Sequence, residues 1–136
     1  MKAMKYSGYY LVFTGIIHNL IGLALGWQSL VDMHQDNWFA STIVNGQMIF
    51  QREAIVWFLL TGFFWVLFGL MLQKALKEGF TPPLSLAWGF IAIGIIVAII
   101  MPVSGAYLLI IQGIILLIGI MKLTPQTIVY SESTRR

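Results

Sequence analysis

The sequence predicts an all-α membrane protein, a bundle of four spanning helices, on three observations. Hydrophobic residues make up 59% of the 136-residue chain and charged residues 10%. A soluble domain holds about half and about a quarter respectively, so these charges cannot cover a water-facing surface. Four apolar segments each approach the roughly 20 residues that a helix needs, at about 1.5 Å per residue, to cross roughly 30 Å of hydrocarbon. The basic residues also segregate. Lys2, Lys5, Lys74, Lys77, Lys122, Arg135 and Arg136 fall on one side of the four-span arrangement and Arg52 alone on the other, which predicts that both termini are cytoplasmic.

The whole chain, 1–136, reads as one transmembrane domain. The first span runs from about Tyr6 to Leu30. Lys2, Lys5, an apolar run and Ala24-Leu25-Gly26 also resemble a secretory signal with its cleavage site, but His18 and Asn19 interrupt the run, so the expectation is a retained span. The connection that follows, Val31 to Gln51, lies on the outer side. Within it Ser41-Thr42-Ile43-Val44 and Gln47-Met48-Ile49-Phe50 flank Asn45-Gly46, the dipeptide that suits a type I′ turn, and predict a short β-hairpin. The alternative is an interfacial helix carrying Trp38, Phe39 and Ile43 at headgroup level.

The second span runs from about Glu53 to Gln73 and the third from about Pro83 to Met101, with Thr81 placed to cap it and proline in its first turn. The fourth runs from about Val103 to Lys122. Met101-Pro102-Val103-Ser104-Gly105 supplies the punctuation that divides the last two spans into a tight helical hairpin. The tail, 123–136, contains Pro125 and few apolar residues, which reads as a short frayed cytoplasmic end.

Glycines recur as stripes. Gly8, Gly15 and Gly22 are spaced by seven residues, as are Gly62 and Gly69, and Gly22 with Gly26 adds a second small-residue pair. Such stripes let backbones approach closely where lipid removes the hydrophobic drive to associate. The partner is either another span or a second copy, so Gly15, Gly22, Gly26, Gly62 and Gly69 are candidates for a homo-oligomer contact.

Polar residues within spans are costly and turn inward, which makes them candidate site residues. His18 lies about 13 Å below Trp27, Thr61 about 12 Å below Glu53, and Gln112 about 13 Å below Val103, by helical rise. The shared depth predicts an interhelical cluster, or more simply a neutral His18 satisfied by Thr61 or Gln112. Glu53, Trp57, Thr61 and Trp65 follow at four-residue intervals. Their spacing suggests a stripe running from a carboxylate at the mouth of an aromatic-lined pocket down toward His18, although Glu53 also suits the positive end of the helix dipole. Asp32, His34 and Asp36 alternate in the outer connection and read as a solvated polar loop, with no metal site, haem attachment motif or other cofactor signature. The basic balance, net +3, follows from span orientation and contact with anionic lipid, not nucleic acid.

Gly15-x-x-His18-x-x-x-Gly22, the aromatic-rich second span and Pro102-x-Ser104-Gly105 resemble a family of small four-span bacterial membrane proteins with no assigned activity. The resemblance covers most of the chain, implies a bacterial inner-membrane location and assigns no catalytic residue. In span count the chain is also similar to DoxX-type membrane proteins. It is more distantly similar to the four-span sterol-isomerase and sigma-two-like proteins, whose inward carboxylates, histidine and tryptophans bind an apolar amine or sterol. Glu53 is this chain's sole membrane carboxylate candidate, a departure that weighs against isomerase chemistry.

Three functions fit these residues. The leading one is non-enzymatic: binding or passage of a small apolar or lipid-like molecule in a pocket formed by His18, Glu53, Trp57, Thr61, Trp65 and Gln112. The others are an oligomeric accessory subunit, and an enzyme exchanging protons through His18 and Glu53.

Overall fold

The computed structural model describes the backbone of residues 2–133 and the side chains of 4–123. In chain order the elements are α1 (Lys2–Lys5), α2 (Ser7–Leu25), α3 (Trp27–Gln35), β1 (Ile43–Val44), β2 (Gln47–Met48), α4 (Phe50–Lys77), α5 (Leu84–Ile100) and α6 (Ala106–Ser133). Among the described residues three helical stretches are long and apolar enough to cross a membrane: Ser7–Leu25, Phe50–Lys77 and Ala106–Leu123. The third predicted span, α5, is a shorter apolar helix of 17 residues, about 26 Å long at the helical rise. Apart from Leu123, the side chains of the tail at 123–136 lie outside the described residues. The chain folds as two compact units, Val12–Leu67 and Met1–Leu11 with Phe68–Arg136.

In the unit Val12–Leu67, α2 packs against α4 through glycine. A Cβ on Gly15 would lie 2.7 Å from the Gly62 carbonyl oxygen and 2.9 Å from the Val66 backbone nitrogen, and one on Gly22 would lie 2.6 Å from the Phe58 ring. The Ile55 side chain fills the space beside Gly26. Residue numbers on α2 rise as their partners on α4 fall, so the helices run antiparallel. The stripe glycines Gly15, Gly22, Gly26 and Gly62 therefore meet neighbours in their own chain.

Within the first predicted span, helix α2 ends at Leu25 and a second helix, α3, begins at Trp27. Gly26 (φ −93°, ψ 6°) leaves helical geometry, yet Gly26 N–H still donates to the Gly22 carbonyl and Leu30 N–H to that of Gly26, at 2.8 and 3.0 Å. Gly26 thus keeps both of its own backbone hydrogen bonds at the joint, and α3 occupies the first part of the predicted loop. At the end of α3, Trp38 N–H donates to the Met33 carbonyl and Asn37 N–H to that of His34, with Asn37 at φ 60°. This is a Schellman ending, which asparagine tolerates because its short side chain fits the left-handed region.

The hairpin is present. Ile43 pairs with Met48 and Val44 with Gln47 in antiparallel register. Asn45 (φ 52°) and Gly46 (φ 75°) have the positive φ values of a type I′ turn. The alternative interfacial helix does not form, since turns occupy Trp38 and Phe39 and a strand holds Ile43. Arg52 ties this region to α4: its Nη1 donates to Asp36 Oδ2 at 2.6 Å and to the Ser41 carbonyl at 2.5 Å, and the side chain is largely buried.

In the other unit, a buried glutamine interrupts the first helix. An unbroken helix would pair Tyr9 N–H with the Lys5 carbonyl. Here Tyr9 N–H donates to Gln73 Oε1 (3.2 Å) and Gln73 Nε2 donates to the Lys5 carbonyl (2.7 Å), so one amide bridges both groups at the joint between α1 and α2. The insertion requires Gly8, where a Cβ would lie 2.5 Å from that of Gln73.

α4 extends beyond Gln73 to Lys77. It closes with Phe80 N–H donating to the Ala75 carbonyl, Gly79 N–H to that of Leu76 and Gly79 at φ 86°, a second Schellman ending. α5 starts after Pro83, which occupies the N-cap with no side-chain cap bond. The cap expected from Thr81 is absent because the helix begins too late for it. The hairpin of α5 and α6 is tight. A Cβ on Gly94 would meet Ile110 Cγ1 at 2.6 Å and one on Gly113 the Ala87 carbonyl at 2.6 Å, while Tyr107 Oη donates to the Pro102 carbonyl across the turn.

Gln73→Leu removes both bridging bonds while keeping the side-chain volume close. Each bond is worth about 1 kcal/mol, so amide exchange at Tyr9 is expected to accelerate about tenfold or more. Unchanged exchange at Tyr9 refutes the bridge.

Candidate functional site

His18 takes its partner from the backbone of α4. Its Nε2 lies 3.0 Å from the Phe58 carbonyl oxygen. A carbonyl only accepts, so Nε2 carries a proton and donates it to this bond. The imidazole also stacks on the Phe58 ring, with centroids 3.8 Å apart and planes 9° from parallel. One helical turn beyond Phe58, the Asn19 amide occupies the place where Gly62 would carry a Cβ. Asn19 Oδ1 is buried there with no hydrogen-bond partner, a costly position for an amide oxygen.

The predicted stripe on α4 does not lie along the α2 contact. Each step of four residues advances about 40° past a full turn, so Glu53 and Trp65 differ by about 120° around the helix. Ile55, Phe58, Gly62 and Val66 face α2 instead. Trp57 is 62% exposed, and Thr61, also exposed, donates its hydroxyl to the Trp57 carbonyl at 2.8 Å within its own helix. Trp65 is half-buried, as is Glu53 in the first turn of α4, where the helix dipole favours a carboxylate.

Gln112 belongs to the other unit. It is fully buried on α6, its Nε2 donating to Ser7 Oγ at 2.7 Å and its Oε1 without a hydrogen-bond partner. The alternating polar residues before the hairpin are engaged locally: Asp32 accepts from Gln28 Nε2, His34 Nδ1 accepts from Trp38 Nε1, and Asp36 pairs with Arg52. Among the described residues no group of three or more His, Cys, Asp or Glu is placed to hold a metal ion.

The unit Val12–Leu67 contains an open groove of about 230 Å³. Gly22, Leu25, Gly26 and Ser29 form its α2–α3 wall, and Gln51, Ala54, Ile55 and Phe58 its α4 wall. The antiparallel register sorts these by polarity, placing Gly22 opposite Phe58 at one end and Ser29 with Gln51 at the other. None of the side chains expected to bind ligand lines the groove, but His18 stacks on Phe58, which does. Phe58 was not legible in the sequence: pairing Gly15 with Gly62 alone would set Gly22 against Ile55, whereas Gly15 packs against both Gly62 and Val66, and that offset brings Gly22 to Phe58 and Leu59.

These features belong to a helical chain with stretches apolar enough for a membrane. The chain is a member of the DUF6463 family, a family of unknown function whose model matches residues 2–122. No curated protein and no solved structure matches it.

Substituting His18→Phe keeps a ring against Phe58 and removes the N–H donor. The expected loss is about 1 kcal/mol, the scale of interhelical hydrogen bonds in membrane proteins. Gly62→Val is expected to cost more, because its side chain would displace the Asn19 amide. Reversible unfolding in mixed detergent micelles reads both, and a neutral Gly62→Val refutes the close approach.

Proposed function

We propose that the protein is a four-span membrane bundle of the bacterial plasma membrane, with both termini cytoplasmic, that binds one chain of an acyl or isoprenoid amphiphile. The basic residues support the orientation, and α5, at 17 residues, stands at the lower end of the roughly 17–25 residues that cross a bilayer. The groove beside Phe58 is the observation that carries the binding reading. At about 230 Å³ it is smaller than the roughly 300–1,000 Å³ of sites for drug-sized ligands. It suits a length of chain better than a fused ring system. Glycine, Ile55 and Phe58 offer apolar contact to the chain, and Ser29 and Gln51 offer hydrogen bonds to the polar end of the same molecule. His18 acts as a positioning residue, holding the Phe58 wall by stacking on it.

Ala54 lines the groove outside the glycine contact, so Ala54→Leu fills the groove and spares the packing of α2 on α4. Photocrosslinking of a diazirine-bearing palmitate in phospholipid vesicles is expected to fall about tenfold in this variant, the equivalent of about 1.4 kcal/mol of lost contact. Ala92→Leu, an exposed site on α5, serves as the control. Equal labelling of wild type and Ala54→Leu overturns the groove as the binding site.

A further inference from the structure

The segment joining α3 to α4 carries a surface that water does not suit. Phe39 is 91% exposed, Met48 61%, Ile43 55% and Trp38 52%. Ile43 and Met48 are direct cross-strand partners and therefore project from one face of the hairpin. A lone two-stranded hairpin is marginal in water and needs something apolar against that face. Several polar groups in and beside the segment are already engaged. Trp38 donates its indole N–H to His34 Nδ1, Asp36 is paired with Arg52, and Asp32 accepts from Gln28. Pairing lowers the cost of taking these groups out of water. Both ends of the segment are tethered close to ends of apolar helices, α2 through the short α3 and α4 directly. The nearest apolar medium is the bilayer that those helices cross in the reading above.

We propose that Trp38, Phe39 and the Ile43–Met48 face of the hairpin insert into the boundary between lipid headgroups and acyl chains on the outer side of the membrane, making the hairpin an interfacial anchor. Trp38 suits this layer because its indole joins an apolar ring to a polar N–H, and Phe39 adds a purely apolar ring beside it. Asn45 and Gly46, at the turn, stay on the aqueous side.

The chain has no cysteine, so single spin labels report unambiguously. Phe39→Cys, Ile43→Cys, Met48→Cys and Asn45→Cys are labelled with a nitroxide and reconstituted in vesicles of phosphatidylethanolamine and phosphatidylglycerol. The three apolar positions are well exposed, so substitution there removes little packing. Labels at 39, 43 and 48 are expected to collide several-fold more with oxygen, relative to a water-soluble nickel chelate, than the label at 45. Nickel accessibility at 39, 43 and 48 equal to that at 45 overturns the anchor, and so does shielding from both reagents, which would mean that protein covers the face. A label at Leu67, exposed on α4, tests separately whether that helix meets lipid.

Discussion

Where α2 crosses α4 the two backbones come within reach of each other, and the contact exists only because particular positions have no side chain. A Cβ on Gly15 would enter the van der Waals space of the Gly62 carbonyl oxygen and the Val66 nitrogen, which no rotamer change relieves. In the membrane setting proposed above, lipid leaves little hydrophobic gain from bringing two apolar helices together, and close packing itself supplies the attraction. The rest of the unit Val12–Leu67 follows from that approach. It places His18 within bonding distance of the Phe58 carbonyl, packs Asn19 over Gly62, brings Ile55 beside the joint at Gly26 and leaves the groove open between Gly22 and Ala54.

Buried polar side chains in both units are used largely on the backbone. Gln73 replaces one turn of helical hydrogen bonding between Lys5 and Tyr9, His18 bonds a carbonyl already inside α4, and Arg52 holds the Ser41 carbonyl together with Asp36. A side chain that bonds backbone spans two elements at a defined register, because the backbone group cannot rotate away. Two amide oxygens stand apart from this pattern, Asn19 Oδ1 and Gln112 Oε1, each buried without a hydrogen-bond partner.

Much of the local structure was legible from residue type. Asn45-Gly46 specified the hairpin because both residues tolerate positive φ, and Met101 to Gly105 marked the turn between α5 and α6. The helix boundaries were less legible. Gly26 reads in the sequence as part of a continuous span, and only the packed structure shows the helix interrupted there and Ile55 filling the space a side chain would need. Thr81 had the chemistry of a cap, but caps depend on where the helix begins, and Pro83 set that point. The Gly8–Gln73 pair left a weaker sign: a polar residue near the end of a span looked like the span's boundary, when it is a buried bridge.

Composition and hydrophobic length alone determined that the chain is largely helical and carries stretches apolar enough for a membrane, because those properties sum over residues and need no knowledge of neighbours. Turn chemistry was likewise local. Tertiary structure decided which faces of the helices meet. The four-residue spacing of Glu53, Trp57, Thr61 and Trp65 suggested one wall of a pocket, but that row drifts around α4 while the glycine contact follows Ile55, Phe58, Gly62 and Val66. Helical rotation is set by the partner's shape, so the partners of His18 and the walls of the groove emerge only when two helices are packed together.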